Sequence, residues 1–503
     1  MEFSDKLNFL INLTQTSNKE LARELSVDRS LISLLRTGRR KVPKNHDYIR
    51  NMSTFFAKHC TAEFQRYALA EMIGISLLRS SMPTDILSEH LEKWLLGDTD
   101  MVSKMIDGME AVPSTIIPEQ QKPEKDIASF PSNETRFYYG KEGRLTALQE
   151  LMGILKSLDS PCPILVSTDD SRDWLFEDYY LNHELQKHMQ EIFDRGFTLY
   201  QIMPSLNFLS NYVEALDYWL PLYVTEHAKP YYYPRIRDNL YRHSTIILPG
   251  HCAKTVVGMG MGDGNQVITL TTDQKLVQTL TMQFQDYMAL CKPALLTHKK
   301  PREFSPCLRD IFTTPGFLIQ KISSLSKVTL PRELLEYCLR ETKSPDWQLT
   351  YQMYLDNLEA FEARLEKDAF IEMAVLASAE EIRAGKVTIT PPCDMSAPLY
   401  YTPETYILHL KNILRLMEQY ENYYFLPCRD NDRKNYGLIV SENDMALLLR
   451  STPPSLMLEI HRPEMVQACR EHLLRIAEQE GFSGIHKAKI RSRIKALIQE
   501  LKN

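Results

Sequence analysis

Residues 17–41, SNKELARELSVDRSLISLLRTGRRK, read as two short helices joined by a tight turn and closed by a basic run. Ser17 and Glu20 stand at capping-box spacing, in which a hydroxyl and a carboxylate satisfy the exposed backbone donors at a helix start. Leu21, Ala22 and Leu25 form the apolar stripe of the first helix, and Ser26-Val27 fits the turn. Asp28 is suited to cap a second helix whose Ile32 and Leu35 face inward, and Gly38 ends it just before Arg39-Arg40-Lys41. The small Ala22 permits the close approach that two steeply crossing helices need. This spacing turns Arg29, Ser30, Ser33 and Leu34 outward.

The pattern from Ala22 through Val27 and Ile32 to Leu35 resembles the Cro/repressor (lambda repressor-like) helix-turn-helix family of bacterial DNA-binding domains, over about the first 60 residues. Ser26 stands where that family often has glycine. The resemblance implies that Arg29, Ser30, Ser33 and Leu34 meet base edges, and that Asn18, Lys19, Arg39, Arg40 and Lys41 hold phosphates. It also implies double-stranded DNA as partner and a homodimer reading a two-fold site. The bland alternative is an ordinary helical hairpin with a basic loop.

Charge distribution agrees with a DNA-facing end. Residues 1–60 carry 11 Lys/Arg and 6 Asp/Glu, a net of +5, whereas the 503-residue chain carries −6, which leaves −11 for the remainder. A basic head on an acidic body presents one end to phosphate. The apolar content of 44% supplies packed cores, and the length calls for several domains. Nine cysteines without a C-x-x-C pair point to reduced thiols, with neither a disulfide framework nor a metal site expected. The start, MEFSDKLNFLINL, is not expected to be a signal peptide, and no run approaches a membrane span, so a cytoplasmic location is expected.

Beyond the head (1–60), a helical extension is expected over 61–111 and a Pro-rich linker over 112–134, where four prolines fall among polar residues. An α/β domain follows over 135–299, with PILVSTDD, FTLYQIMP, STIILPG, KTVVGMG and QVITLTTD as strands. Residues 300–399 read as a helical connector, and 400–503 as a second α/β-like domain ending in a basic helix, HKAKIRSRIK. The expected fold class is thus multidomain α and α/β, with mixed sheets. The last domain repeats the order of the earlier one: helix, strand, further strands, final helix. A diverged duplication and the common grammar of α/β chains both account for this.

The strand order of the middle unit also resembles, faintly, half of a phospholipase D-like domain. Catalysis in that family needs H-x-K followed by Asp, with histidine as nucleophile and lysine on phosphate. His298-Lys299-Lys300 leads to Ser305 and His409-Leu410-Lys411 to Leu416, so the resemblance implies a non-catalytic relative. Gly258-Met259-Gly260-Met261-Gly262-Asp263-Gly264 lacks the Lys-Ser/Thr of a phosphate loop. Tyr231, Tyr232, Tyr233 and Arg235 either line a pocket for a planar or anionic ligand or form an aromatic cover on the sheet. Asp169, Asp170 and Asp173, past a strand's carboxyl end, either join such a pocket or cap a helix. No catalytic residues and no cofactor are expected. The overall expectation is a sequence-specific transcriptional regulator with a sensing or assembly region and a possible small-molecule effector. The alternatives are a DNA-tethered enzyme acting on a nucleotide or nucleic acid, or a protein-interaction scaffold.

Overall fold

The computed structural model describes residues 3–40, 46–62, 65–66, 69, 84–96, 102, 105–106, 109, 133–169, 179–203, 220–235, 241–259, 266–342, 347–389, 399–428, 436–442, 444–450, 456–482 and 487–502. The chain is multidomain, with an N-terminal helical bundle and two mixed sheets. Two compact units are present. The first lies within Met1–Met105, Pro123–Leu222 and Tyr231–Lys292, the second within Ile106–Lys122, Tyr223–Pro230 and Pro293–Asn503.

The first unit opens with α1 (Phe3–Thr14), α2 (Asn18–Glu24), α3 (Arg29–Arg36), α4 (His46–His59) and α5 (Thr84–Leu96). One core joins them: Leu7, Leu10, Leu21, Ala22, Ile32, Leu35, Ile49, Met52 and Phe56 pack with Leu87, Leu91 and Leu95. The stripe of α5 therefore extends the bundle. Lys6 fixes that contact, donating from Nζ to the Trp94 carbonyl at 2.7 Å in the last turn of α5, where a cation meets the negative helix end. The expected linker falls almost wholly outside the described residues, as does most of the helix expected over 63–78.

The first sheet follows: β1 (Thr135–Tyr139), α6 (Gly140–Ser157), β2 (Pro163–Ser167), α7 (Tyr179–Asp194), β3 (Thr198–Met203), β4 (Ala228–Tyr232), β5 (Tyr241–Leu248), β6 (Cys252–Met259), β7 (Val267–Thr271), α8 (Gln274–Met288) and the two-residue β8 (Lys292–Pro293). Its order is β1-β7-β6-β5-β2-β3-β4-β8. The β5–β6 hairpin turns at Gly250, whose φ of 76° suits glycine. Asp273 caps α8 by accepting from the Leu276 amide at 2.8 Å.

The second unit contains β9 (Leu295–His298), α9 (Pro301–Thr313), β10 (Leu318–Ile322), α10 (Arg332–Thr342), α11 (Trp347–Leu365), β11 (Phe370–Val375), α12 (Ala379–Arg383), α13 (Pro403–Gln419), β12 (Tyr423–Cys428), β13 (Tyr436–Ser441), β14 (Ala446–Arg450), β15 (Leu456–Ile460), α14 (Pro463–Gln479) and α15 (Lys487–Lys502). Its sheet runs β12-β11-β10-β13-β14-β15-β9. Residues 300–399, expected as a helical connector, thus supply two central strands, β10 and β11. One face packs on a core drawn from α9, α10, α11, α13 and α15, while α14 brings Met465, Val466, Cys469 and Leu473 to β10 and β13. Strands covered on both faces lose the alternation of half-buried ones.

The two sheets share one plan. Written by position, β1-β7-β6-β5-β2-β3-β4 and β9-β15-β14-β13-β10-β11-β12 are the same order. Strand senses match as well. The pairs β1/β7, β7/β6, β6/β5 and β5/β2 are antiparallel and β2/β3 parallel, as are β9/β15, β15/β14, β14/β13, β13/β10 and β10/β11 respectively. A shared order with shared senses favours duplication over common grammar.

A polar network is sealed inside the second core. Glu372 on β11 accepts from Tyr423 Oη at 2.6 Å and from Thr329 Oγ1 at 3.4 Å. His409 on α13 pairs through Nε2 with Thr329 Oγ1 at 3.1 Å and through Nδ1 with Tyr401 Oη at 2.9 Å. Burial pushes the Glu372 carboxyl up from 4.5 to about 7 and the His409 imidazole down from 6.5 to about 3. Above pH 4.5 the unfolded chain releases a Glu372 proton that the folded chain retains, so stability falls as pH rises toward 7. Below pH 6.5 the unfolded chain takes up a His409 proton that the folded chain refuses, so stability falls as pH drops toward 3. Glu372→Gln should therefore gain on wild type by a few kcal/mol between pH 4.5 and 7, at about 1.4 per pKa unit. His409→Gln should gain as pH falls. Hydrogen exchange of β11 and β12 peptides reads both differences, and curves parallel to wild type would contradict them.

Candidate nucleic-acid interface

The pair α2 and α3 and the turn between them are built by contacts local in sequence. Ser17 Oγ accepts from the Glu20 amide at 3.2 Å, and the Glu20 carboxylate accepts from the Ser17 amide at 2.7 Å. Donation from the Ser17 hydroxyl, at 2.7 Å, and then from the Ser17 amide holds the Glu20 carboxyl below its usual range. Asp28 caps α3, accepting from the Ser30 amide at 2.7 Å, and the Ser30 hydroxyl and then this amide lower its carboxyl. The turn closes through the Val27 amide to the Ala22 carbonyl at 2.9 Å. Ser26 takes a φ of 53°, the left-handed conformation that glycine adopts most readily. Gly38, at φ 68°, ends α3.

Arg36 locks the three helices together. Its Nε donates to Asn8 Oδ1 of α1 at 2.7 Å and its Nη1 to Asn18 Oδ1 of α2 at 2.8 Å, while Asn8 Nδ2 returns a bond to the Arg36 carbonyl at 3.0 Å. Asn18, expected at phosphate, thus spends its carbonyl oxygen on orienting α3. Sequence reading passed over Arg36, because nothing in the chain announces partners 18 and 28 residues away.

Arg29, Ser30, Ser33 and Leu34 are all exposed on the face of α3 opposite the buried Ile32 and Leu35. Lys19, Arg39 and Arg40 are exposed too, and Lys41 lies outside the described residues. One short helix therefore presents an arginine, two hydroxyls and a methyl-bearing side chain together, with two further cations just past its C-terminal end.

The other singled-out residues fall elsewhere. Tyr231 and Tyr232 lie on β4, with Tyr232 buried. Tyr231 packs on the core beneath α8, and the Tyr233 ring lies 5.6 Å from that of Tyr287 on α8. Arg235 is exposed beyond these rings. Asp169 follows β2 by two residues, whereas Asp170, Asp173 and residues 260–264 of the glycine-rich run lie outside the described residues. The basic C-terminal helix, α15, docks on α13. Ile494, Ile498 and Leu501 are buried, Lys487 Nζ donates to the Tyr420 and Glu421 carbonyls, and Arg491 pairs with Glu418.

A cluster not foreseen from sequence joins β9, α9 and β15 of the second unit. Glu459 Oε2 accepts from His298 Nε2 at 2.7 Å and from Cys307 Sγ at 3.3 Å, and Glu459 Oε1 pairs with His461 Nε2 at 2.8 Å. Cys307 Sγ lies 3.6 Å from His298 Nε2 and 3.3 Å from the Glu303 carbonyl. The imidazole and thiol donors hold the Glu459 carboxyl far below its usual range, against the effect of burial. Burial and the Glu459 charge push the Cys307 thiol well up.

No protein-family model matches the chain, and no curated protein matches it by sequence. Solved structures similar to it include TrmBL2, described as an archaeal chromatin protein with a novel mode of DNA binding. That match has 12% identity and a TM-score of 0.23, and covers 47% of this chain and 81% of that one. The phospholipase D family member Nuc from Salmonella typhimurium is similar at 10% identity and TM-score 0.22, over 32% of this chain and 98% of that one. Polyphosphate kinase from Porphyromonas gingivalis is similar at 8% identity and TM-score 0.23, over 68% and 50%. Likeness at this level leaves the functional reading to the chain's own residues.

The Ser26 backbone makes a checkable demand. Ser26→Val should lower hydrogen-exchange protection of α2 and α3 in the full chain, because a β-branched side chain suits the left-handed region less well than the serine, which already bears that region's Cβ cost of about 1–2 kcal/mol. Ser26→Gly should leave protection unchanged or raise it. Equal protection in both variants would show that the turn does not need this conformation.

Proposed function

We propose that the chain is a sequence-specific DNA-binding regulator whose α3 reads base edges from the major groove. One observation supports this reading: Arg29, Ser30, Ser33 and Leu34 form the exposed face of a helix that its cap, its turn and the Arg36 bonds tie to α1 and α2. Arg29 matches a guanine edge, the two serines take either donor or acceptor partners, and Leu34 offers apolar contact to a thymine methyl. Lys19, Arg39 and Arg40 flank that face and suit phosphates. The +5 charge of residues 1–60 within an acidic chain supports the same orientation.

A head this small makes few contacts, so a homodimer on a two-fold site is part of the proposal. The duplicated α/β region is assigned sensing or assembly and no catalysis, with a small-molecule effector as its natural input. Among the described residues no helix is long and apolar enough to cross a membrane.

Sheared genomic DNA retained by the full chain, then sequenced, tests the reading. Wild type should enrich a few sites sharing a two-fold motif. Arg29→Ala should relax one position of that motif at a cost of roughly 1–3 kcal/mol. Arg39→Ala should keep the motif but lower the slope of log affinity against log salt by about 1. Uniform retention, or no retention, with Arg29→Ala behaving as wild type would exclude base reading by α3.

A further inference from the structure

We propose that His298, Cys307 and Glu459 form a binding site for a divalent transition-metal ion, zinc by the chemistry of the donors, with His461 supporting Glu459 from the outer side. The proposal is independent of DNA binding and concerns the second unit alone.

Three donors of different type converge: an imidazole nitrogen, a thiol sulfur and a carboxylate oxygen, all within 4.8 Å of one another. Tetrahedral zinc, with bonds of about 2.0–2.3 Å, sets such atoms roughly 3.3–3.7 Å apart. The Cys307–His298 separation of 3.6 Å and the Cys307–Glu459 separation of 3.3 Å already lie in that range. Only the His298–Glu459 contact, at 2.7 Å, has to open, and it is a hydrogen bond whose proton the ion would replace. A sulfur in the set disfavours magnesium and calcium, which take oxygen ligands.

Charge and access agree. A thiolate and a carboxylate together cancel a divalent cation, which matters where Cys307 is buried and the Glu459 side chain is 10% exposed. Lys327, whose charge acts on Cys307, would oppose the ion and is outweighed by the two anionic ligands. The imidazoles of His298 and His461 are 20% and 29% exposed, which gives the ion a route in. Binding releases the Cys307 thiol proton to solvent and moves the His298 proton from Nε2 to Nδ1, leaving Nε2 to ligate. The outer histidine on Glu459 is the kind of partner that orients a ligating carboxylate.

The fold does not require the cluster. The corresponding strands of the first unit, β1 and β7, read TRFYY and VITLT, with no histidine, cysteine or acid. Pairing of an edge strand with the end of the meander is therefore achieved there without it.

Cobalt titration of the full, tag-free chain tests the proposal after chelator treatment, followed by competition with zinc. We expect one equivalent of cobalt to give a near-ultraviolet thiolate-to-metal band and intense visible bands of tetrahedral coordination, both erased by zinc. Cys307→Ser should remove the thiolate band, and Glu459→Gln should abolish one-equivalent binding. His461→Asn should weaken binding about 10–100-fold, as loss of an outer partner does. Circular dichroism of each variant verifies folding, and the wild-type spectrum needs no variant. Absence of a thiolate band in folded wild type, or its persistence in Cys307→Ser, would overturn the site.

Discussion

A sheet covered by helices on both faces leaves no water for a buried charge, and the second unit is arranged around that constraint. Its strands carry polar groups inward all the same, among them Glu372 and Glu459. Each is met by donors brought from helices and neighbouring strands: Tyr423 and Thr329 for the first, His298, Cys307 and His461 for the second. Arg364 on α11 shows the same logic with opposite sign. It is buried and donates to the Ile311 and Phe312 carbonyls at 3.0 and 3.3 Å and to those of Thr314 and Gly316, so it closes the end of α9. Such groups cost stability if left alone, so each is paired where it is buried.

How legible a feature was depended on the distance over which its contacts act. The pair α2 and α3 was readable because its caps span two or three residues and its core follows helical spacing. β11 was lost because α11 runs regularly to Leu365, only four residues intervene, and FIEMAV has no polar alternation to break the helical pattern. β10, LIQKI, is buried at all of its positions and gave no period either. The His298 cluster needed residues from 298 to 459 brought together by the β9–β15 pairing. Glu459 and His461, two apart on one strand end, were its sole local trace, and His298 drew notice for a motif it does not complete.

Repetition of one plan explains why the halves differ where they do. Strand order and sense are held by backbone pairing, which tolerates any side chain that fits the face, so they persist through divergence. Side-chain chemistry carries no such restraint. The first repeat packs aromatic rings at β4 against α8, while the second sets a sealed acid–histidine network and a thiol–imidazole–carboxylate triangle.

The bond from Lys6 to the Trp94 carbonyl reaches across 88 residues of chain, and Leu87, Leu91 and Leu95 complete the core that Leu7 and Leu10 begin. A fragment cut after residue 60 would keep every residue of the turn and its exposed helix yet bare one side of α1 and α4 to solvent. The core that holds the turn in place therefore reaches well beyond the motif itself, as far as Leu95.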